Sequence, residues 1–221
     1  QSLCEDYASK DMRIHYHRCA TNIGAGANYN RVFELARGEY FKWAAHDDVC
    51  SPEFLMSCVE LLDRDEETVL CYPTDIAIDS KGEIIPNYMD KYTDLNHLDM
   101  STPYKRLHDL ACLRHGCFQV FGLMRSESLK NTPKIANFIG ADRVLLAELA
   151  LKGGFWKSPN PIYFRRHAEQ YCALKNKGSQ EVWYSPENKK KTIFTMSIQL
   201  VEHFRLINRV NLAWTDRLLC Y

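Results

Sequence analysis

The chain has 221 residues, of which 46% are hydrophobic and 25% charged, and its formal net charge is zero. This length can bury the core of one domain with an appendage, and the neutral balance excludes a global field that would attract nucleic acid. Nine cysteines, an odd number without zinc-site spacing, favour a reducing cytoplasm over a disulfide framework.

The first half of the sequence alternates between helical and strand patterns. In chain order these predict helix, strand, helix, strand, helix and strand over Ser2–Lys10, Arg13–His17, Ala27–Ala36, Tyr40–Ala44, Pro52–Asp63 and Val69–Tyr72. Ser51 is the expected N-cap of the third helix, and Pro73 is expected to end the third strand. This alternation is typical of βαβ units, so the predicted fold is α/β: a Rossmann-like mixed, mainly parallel sheet flanked by helices.

The second half is less regular. The patterns predict a helix, a strand, a helix and two short strands over Pro103–His115, Val120–Met124, Asp142–Leu151, Phe155–Lys157 and Ile162–Arg165. A helical tail starts at Glu187, which suggests a catalytic domain over 1–175 and an extension over 176–221. The amphipathic tail has two interpretations: a helical pair packed on the domain or on a second copy in a homo-oligomer, or a helix in peripheral contact with a membrane surface. For the membrane, the basic run Lys189–Lys191 would meet anionic headgroups.

Two adjacent carboxylates follow the predicted Tyr40–Ala44 strand. Ligands of open α/β sheets bind beyond the carboxyl ends of the strands, and Asp47 and Asp48 fall at such a place. Neighbouring carboxylates repel each other, so they need a cation or solvent to compensate. The residues alone therefore leave a metal site and a solvated turn as equal alternatives.

Several motifs, in order and spacing, resemble the family 2 glycosyltransferases of GT-A fold. They lie at Asn22–Asn30, Ala36–Phe41, His46–Leu55, Ala141–Leu146 and Tyr163–His167. An N-x-G segment before a helix, a G-E-Y strand running into a D-x-D motif, and a proline that opens the next helix make up the likeness. The D-x-D motif stands here as Ala45-His46-Asp47, followed by a second aspartate. Nothing in the chain matches the family's first strand, helix and strand, so the resemblance implies that residues precede Gln1 in the natural protein.

The resemblance implies a metal site for Mn²⁺ or Mg²⁺. Asp47 would be the direct ligand, with Asp48 as a second or water-mediated one, and His167 could complete the shell. As residue types, a lone histidine is more often structural, and that alternative stays open for His167.

The resemblance also implies donor contacts and a catalytic base. Asn22, Asn30, His46 and Arg166 would line the side that binds the nucleotide-diphosphate sugar, although both asparagines could instead cap a turn and a helix. Asp142 matches the family's general base, and its alternative role is an N-cap.

The implied activity is inverting transfer of a sugar to a saccharide or lipid-linked acceptor in the synthesis of a bacterial surface polysaccharide or glycoconjugate. Such an enzyme would work in the cytoplasm, including the inner face of the membrane. The altered D-x-D motif leaves a second interpretation open, a non-catalytic member of the same fold that binds a nucleotide or a partner protein.

Overall fold

The computed structural model describes residues 1–93, 95, 102–167, 176–190 and 194–221. Its helices are α1 (Ser2–Lys10), α2 (Ala25–Leu35), α3 (Phe54–Arg64), α4 (Pro103–Cys112), α5 (Ser126–Lys130), α6 (Ala141–Lys152), α7 (Lys177–Tyr184), α8 (Thr195–Arg209) and α9 (Trp214–Leu219). Its strands are β1 (Tyr40–Phe41), β2 (Val49–Cys50), β3 (Thr68–Ile78), β4 (Leu123–Arg125) and β5 (Gly154–Arg166). Short 3₁₀ turns lie at Met89–Lys91, Phe118–Phe121 and Pro186–Lys190.

The strands form one mixed sheet in the order β1-β4-β3-β5-β2. The long strands β3 and β5 run parallel at its centre, while β4 joins β3, β1 joins β4 and β2 joins β5 in antiparallel pairs. The predicted α/β class with a mixed sheet flanked by helices is confirmed. The mainly parallel character is not, because β3–β5 is the parallel pair and the other neighbours among the described strands are antiparallel.

Helices cover both faces of the sheet. Successive side chains of a strand point to opposite faces, so Leu70 enters the large core beneath α6 while Cys71 enters a smaller core beneath α3. Helix α6 is buried around most of its circumference, as expected of a central helix. The sheet is therefore held rigidly between two helical layers, and its strand ends are the natural place for a site.

Five predicted strands differ from the structure. Arg13–His17 is exposed and forms no strand, since no described strand lies beside it to accept its hydrogen bonds. β3 continues past Pro73 to Ile78, because the missing N–H of that proline falls at a register irregularity against β5. The two predicted C-terminal strands merge into β5. The predicted Val120–Met124 strand begins in a 3₁₀ turn, and only its end belongs to β4.

The helical tail packs on the central helix. α8 buries Leu206 and Ile207 in the large core, and its Gln199 side chain donates a hydrogen bond to the Ile139 carbonyl at 2.7 Å. α8 therefore packs on the domain, as one of the two interpretations of the tail predicts, and the peripheral membrane contact stays a prediction. Lys191 lies outside the described residues. Among the helices that are described, none is long and apolar enough to span a bilayer.

Candidate active site

A cleft of about 1050 Å³ opens where β1 and β5 end. Its wall combines the loop before α2, the segment from β1 to the carboxylate pair, and the end of β5. Six of the predicted site residues line it: Asn22, His46, Asp47, Asp48, Arg166 and His167. Asn30 and Asp142 lie outside the lining. The structure thus gathers residues that are separated by more than a hundred positions in sequence.

The Asp48 carboxylate is buried in a hydrogen-bond network. Its Oδ1 accepts the backbone N–H of Arg166 at 2.8 Å, and its Oδ2 lies 3.6 Å from the Arg165 guanidinium. The same guanidinium donates to Asp75 at 2.9 Å. Asp48 also raises the pKa of the Tyr163 hydroxyl, which is already raised by burial. Asp48 therefore anchors the carboxylate turn to β5.

The Arg166 side chain holds backbone atoms. Its Nε donates to the Asp47 carbonyl at 3.0 Å, and one terminal nitrogen donates to the carbonyls of Asp79 and Ser80 at 2.8 and 3.2 Å. These bonds tie the carboxylate turn to the turn after β3. Although Arg166 lines the cleft, the predicted contact with donor phosphate would compete with bonds that shape the site.

Asp47 and His167, two of the predicted metal ligands, both line the cleft. The Asp47 side chain lines the cleft with 14% of its surface exposed, and the exposed His46 ring lies 3.7 Å from its carboxylate. The His167 ring packs on Tyr88 with the ring centroids 4.1 Å apart, and its buried Nε2 has no hydrogen-bond partner among the residues that the structure describes. Burial, followed by Arg165, lowers the pKa of His167, which keeps the imidazole neutral as a ligand requires.

A carboxylate beside phosphate oxygens suits Mn²⁺ or Mg²⁺, and a neutral imidazole nitrogen can serve as a further ligand. Within the described ranges, no three histidine, cysteine, aspartate or glutamate side chains form a group that could hold a metal ion. The protein side chains would thus provide part of a coordination shell.

The two asparagines have different surroundings. Asn22 lines the cleft, and its Oδ1 accepts the Gly24 N–H at 2.9 Å, which shapes the turn before α2. The Asn30 side chain makes two hydrogen bonds with the backbone of Ile135. It donates to the carbonyl at 3.1 Å and accepts a bond from the N–H at 3.0 Å. The capping alternative describes Asn22, and Asn30 holds the loop before α6 in place.

Asp142 lies near the start of α6, with Gly140 at the N-cap position and Asp142 in the first turn. Its Oδ1 accepts the N–H of Arg143 at 2.9 Å, so the carboxylate does not act as the N-cap. Burial raises the pKa of Asp142. Asp142 and the carboxylate pair both raise the pKa of Tyr29, a cleft residue. The Tyr29 ring therefore lies within electrostatic reach of both groups.

Three residues of the cleft wall, Arg165, Trp183 and Tyr29, were not among the predicted site residues. Arg165 stacks over Phe118 at 4.3 Å while it bridges two aspartates, and Trp183 enters the cleft wall from α7. Tyr29 packs edge-on against Trp43. The alternation of β5 could have predicted that Arg165 and Arg166 point to opposite faces, but not which partners they meet.

Comparison with known proteins gives a consistent result. The sequence model described as glycosyl transferase family 2 matches residues 1–132. An uncharacterized glycosyltransferase of Methanocaldococcus jannaschii is 27% identical over 93 residues, which are 42% of this chain and 32% of that protein. One from Rickettsia prowazekii is 32% identical over 121 residues, 50% of this chain and 36% of that protein. One from Rickettsia felis is 31% identical over 110 residues, 48% of this chain and 17% of that protein.

The chain thus spans about a third or less of the length of these curated relatives. Among solved structures, S. aureus TarS aligns with 95% of this chain and 41% of its own, at 14% identity and a TM-score of 0.48.

Proposed function

This chain belongs to glycosyl transferase family 2, and we propose that it transfers a sugar from a nucleotide-diphosphate sugar to an acceptor hydroxyl, with inversion at the anomeric carbon. The observation that carries this proposal is the cleft at the strand ends. It collects Asn22, His46, Asp47 and His167, residues from three separate motifs, around one space large enough for a nucleotide sugar.

In this proposal the carboxylate turn receives the donor diphosphate. Asp47 and the unsatisfied Nε2 of His167 would hold Mn²⁺ or Mg²⁺ together with the phosphates. When bound, such a cation neutralises the charge that builds on the leaving diphosphate. Asp48 and Arg166 do not bind the donor in this account. They fix the turn so that Asp47 keeps its direction.

Asp142 would accept the proton of the attacking hydroxyl. A carboxylate whose pKa is raised by burial accepts a proton more readily near neutral pH than an exposed aspartate does. Tyr29 lines the cleft, and its pKa is raised by both Asp142 and the carboxylate pair. In this proposal the acceptor hydroxyl would therefore approach beside the Tyr29 ring.

One observation favours a second candidate, a non-catalytic member of the family that binds a nucleotide or a partner protein. Asp142 does not line the cleft, and the Asp48 carboxylate pairs with the Arg165 guanidinium. A binding module would show nucleotide affinity without donor hydrolysis or transfer, so the two candidates separate on turnover alone. The saccharide or lipid-linked acceptor, the role in surface polysaccharide synthesis, the homo-oligomer and the cytoplasmic location stay predictions.

The test of the leading proposal is Asp47→Ala. UDP, GDP and dTDP are titrated by calorimetry with and without Mn²⁺, and we expect Mn²⁺-dependent binding of one of them to be lost in the variant. The matched control is Asp6→Ala, which removes an exposed carboxylate of α1 that is paired with Lys10. Retained Mn²⁺-dependent binding by Asp47→Ala, with the fold intact by circular dichroism, would remove Asp47 from the metal site.

A further inference from the structure

The side chain of Trp183 stands in the wall of the cleft with 43% of its surface exposed. The other tryptophan of the lining, Trp43, is 2% exposed, and its indole N–H donates to the Tyr29 carbonyl at 2.9 Å. Trp43 is therefore a structural residue, whereas Trp183 offers a large amphipathic surface to whatever enters the cleft.

Trp183 is held in place by its neighbours. Its ring meets Tyr184 edge-on, with centroids 5.1 Å apart. The end of α7 presses on the start of α2, where a Cβ at Gly24 would come within 2.6 Å of the Tyr184 carbonyl oxygen. Asn188, just beyond α7, donates to the carbonyls of Asn137 and Glu181. These contacts hold the backbone around Trp183 in place. A ligand that stacks on the exposed ring would therefore cost little conformational entropy of the protein.

We propose that Trp183 is the specificity residue on which the sugar ring of a saccharide acceptor stacks, an inference that rests on the proposed function. Pyranose rings carry an apolar C–H face and a rim of hydroxyls, so they pair with an aromatic face while their hydroxyls stay available for reaction.

The packing of α7 favours the acceptor over the donor. Asn188, just beyond α7, donates to the Asn137 carbonyl at 3.0 Å, and residues 137–140 lead directly into α6, whose first turn carries Asp142. α7 therefore connects the cleft wall at Trp183 to the segment that leads to the proposed base, so we place the stacked sugar on the acceptor side.

The experiment measures binding of two classes of ligand separately. Methyl glycosides of glucose, galactose, mannose, rhamnose and N-acetylglucosamine are presented to the protein in saturation-transfer NMR, with and without UDP, GDP or dTDP and Mn²⁺. We expect at least one glycoside to bind, and Trp183→Ala to weaken it by about tenfold. Trp183→Phe should restore part of the affinity. Nucleotide affinity should stay unchanged in both variants.

The matched control is Trp214→Ala, which removes a tryptophan of α9 that is 77% exposed and outside the cleft lining. Three outcomes overturn the inference: no glycoside binds, glycoside affinity survives in Trp183→Ala, or that variant loses nucleotide affinity and so places the ring on the donor. Absence of nucleotide binding by the unaltered protein would instead count against the proposed function, and the glycoside measurement without nucleotide still tests Trp183.

Discussion

Asp47 and Asp48 are neighbours in sequence with different surroundings. Asp47 lines the cleft, whereas Asp48, 5% exposed at its side chain, faces Arg165 and the Arg166 amide. We predict that Asp48→Asn lowers the free energy of unfolding by about 1–3 kcal/mol, because the amide accepts the N–H but leaves the buried Arg165 charge with less compensation. Urea denaturation measures this, with exposed Asp6→Asn expected to change stability by about 0.5 kcal/mol or less. An unchanged midpoint for Asp48→Asn would mean that Asp48 has no anchoring role.

Asp142 gives a prediction with a pH signature. Burial raises its pKa above the ordinary 3.8, so the folded protein holds this proton more tightly than the unfolded chain. The resulting stabilisation is fully present below the unfolded pKa and is lost as pH rises through the folded pKa. Asp142→Asn should therefore raise Tm near pH 7 and leave it unchanged near pH 3.

The same Asp142→Asn variant should lower turnover on the order of 10² to 10⁴-fold while nucleotide affinity stays constant. Thermal scans at both pH values and a donor-turnover assay check the two parts. Normal turnover would leave Asp142 a bystander, and a lower Tm near pH 7 would contradict the burial argument.

For single residues, the motifs predicted which side chains lie at the cleft better than they predicted the partners those side chains bond. The resemblance led to Asp47, Asp48 and His167, and all three lie at the cleft. It could not show that Asp48 is taken up by Arg165, since that depends on a strand more than a hundred positions away. Asn30 illustrates the same limit, because its partner Ile135 belongs to a loop without a recognisable pattern.

At the scale of elements, helices were easier to predict than strands. The bounds of α1 and most of α6 follow from local periodicity and capping signals, which are properties of the segment itself. β3 shows why strands differ. Pro73 is locally a signal that ends a strand, yet β3 continues beyond it because its residues on both sides of Pro73 pair with β5. Arg13–His17 has the composition of a strand but no described partner, and pairing is a property of the whole sheet.

The contact between α6 and α8 carries the third stability prediction. Glu148 is fully buried, and Arg209 donates to its Oε2 from two nitrogens at 3.1 and 2.7 Å. Arg209→Ala should cost about 3–5 kcal/mol, because it leaves the buried Glu148 carboxylate with only the weaker pair to Lys152, 3.9 Å away, among the described residues. Arg205→Ala, which breaks an exposed pair with Glu202, should cost less than about 1 kcal/mol.

Chemical denaturation compares the two variants of α8. Adding Glu148→Gln to Arg209→Ala should recover part of the loss, since it removes the uncompensated charge. Equal losses for Arg209→Ala and Arg205→Ala would show that the buried pair has no special weight.

For the whole molecule, the sequence indicated the class of architecture and the edge of the sheet that carries the site. Alternating helices and strands predicted an α/β layer structure, and the carboxylates after β1 pointed to the strand ends. The antiparallel attachment of β4, β1 and β2 was not predictable, because strand direction depends on how connections return to the sheet rather than on composition.

The bond from Gln199 to Ile139 has a practical side for protein engineering. A Cβ on Gly140, where φ is +87°, would lie 2.2 Å from the Gln199 amide nitrogen, so the tail helix fills space beside the loop that leads to Asp142. Residues 1–175 and 176–221 are thus poor candidates for separable modules. Deleting residues 176–221 would remove Leu206 and Ile207 from the core and Gln199 from the loop that leads to the proposed base, even though every cleft aspartate remained in the shortened chain.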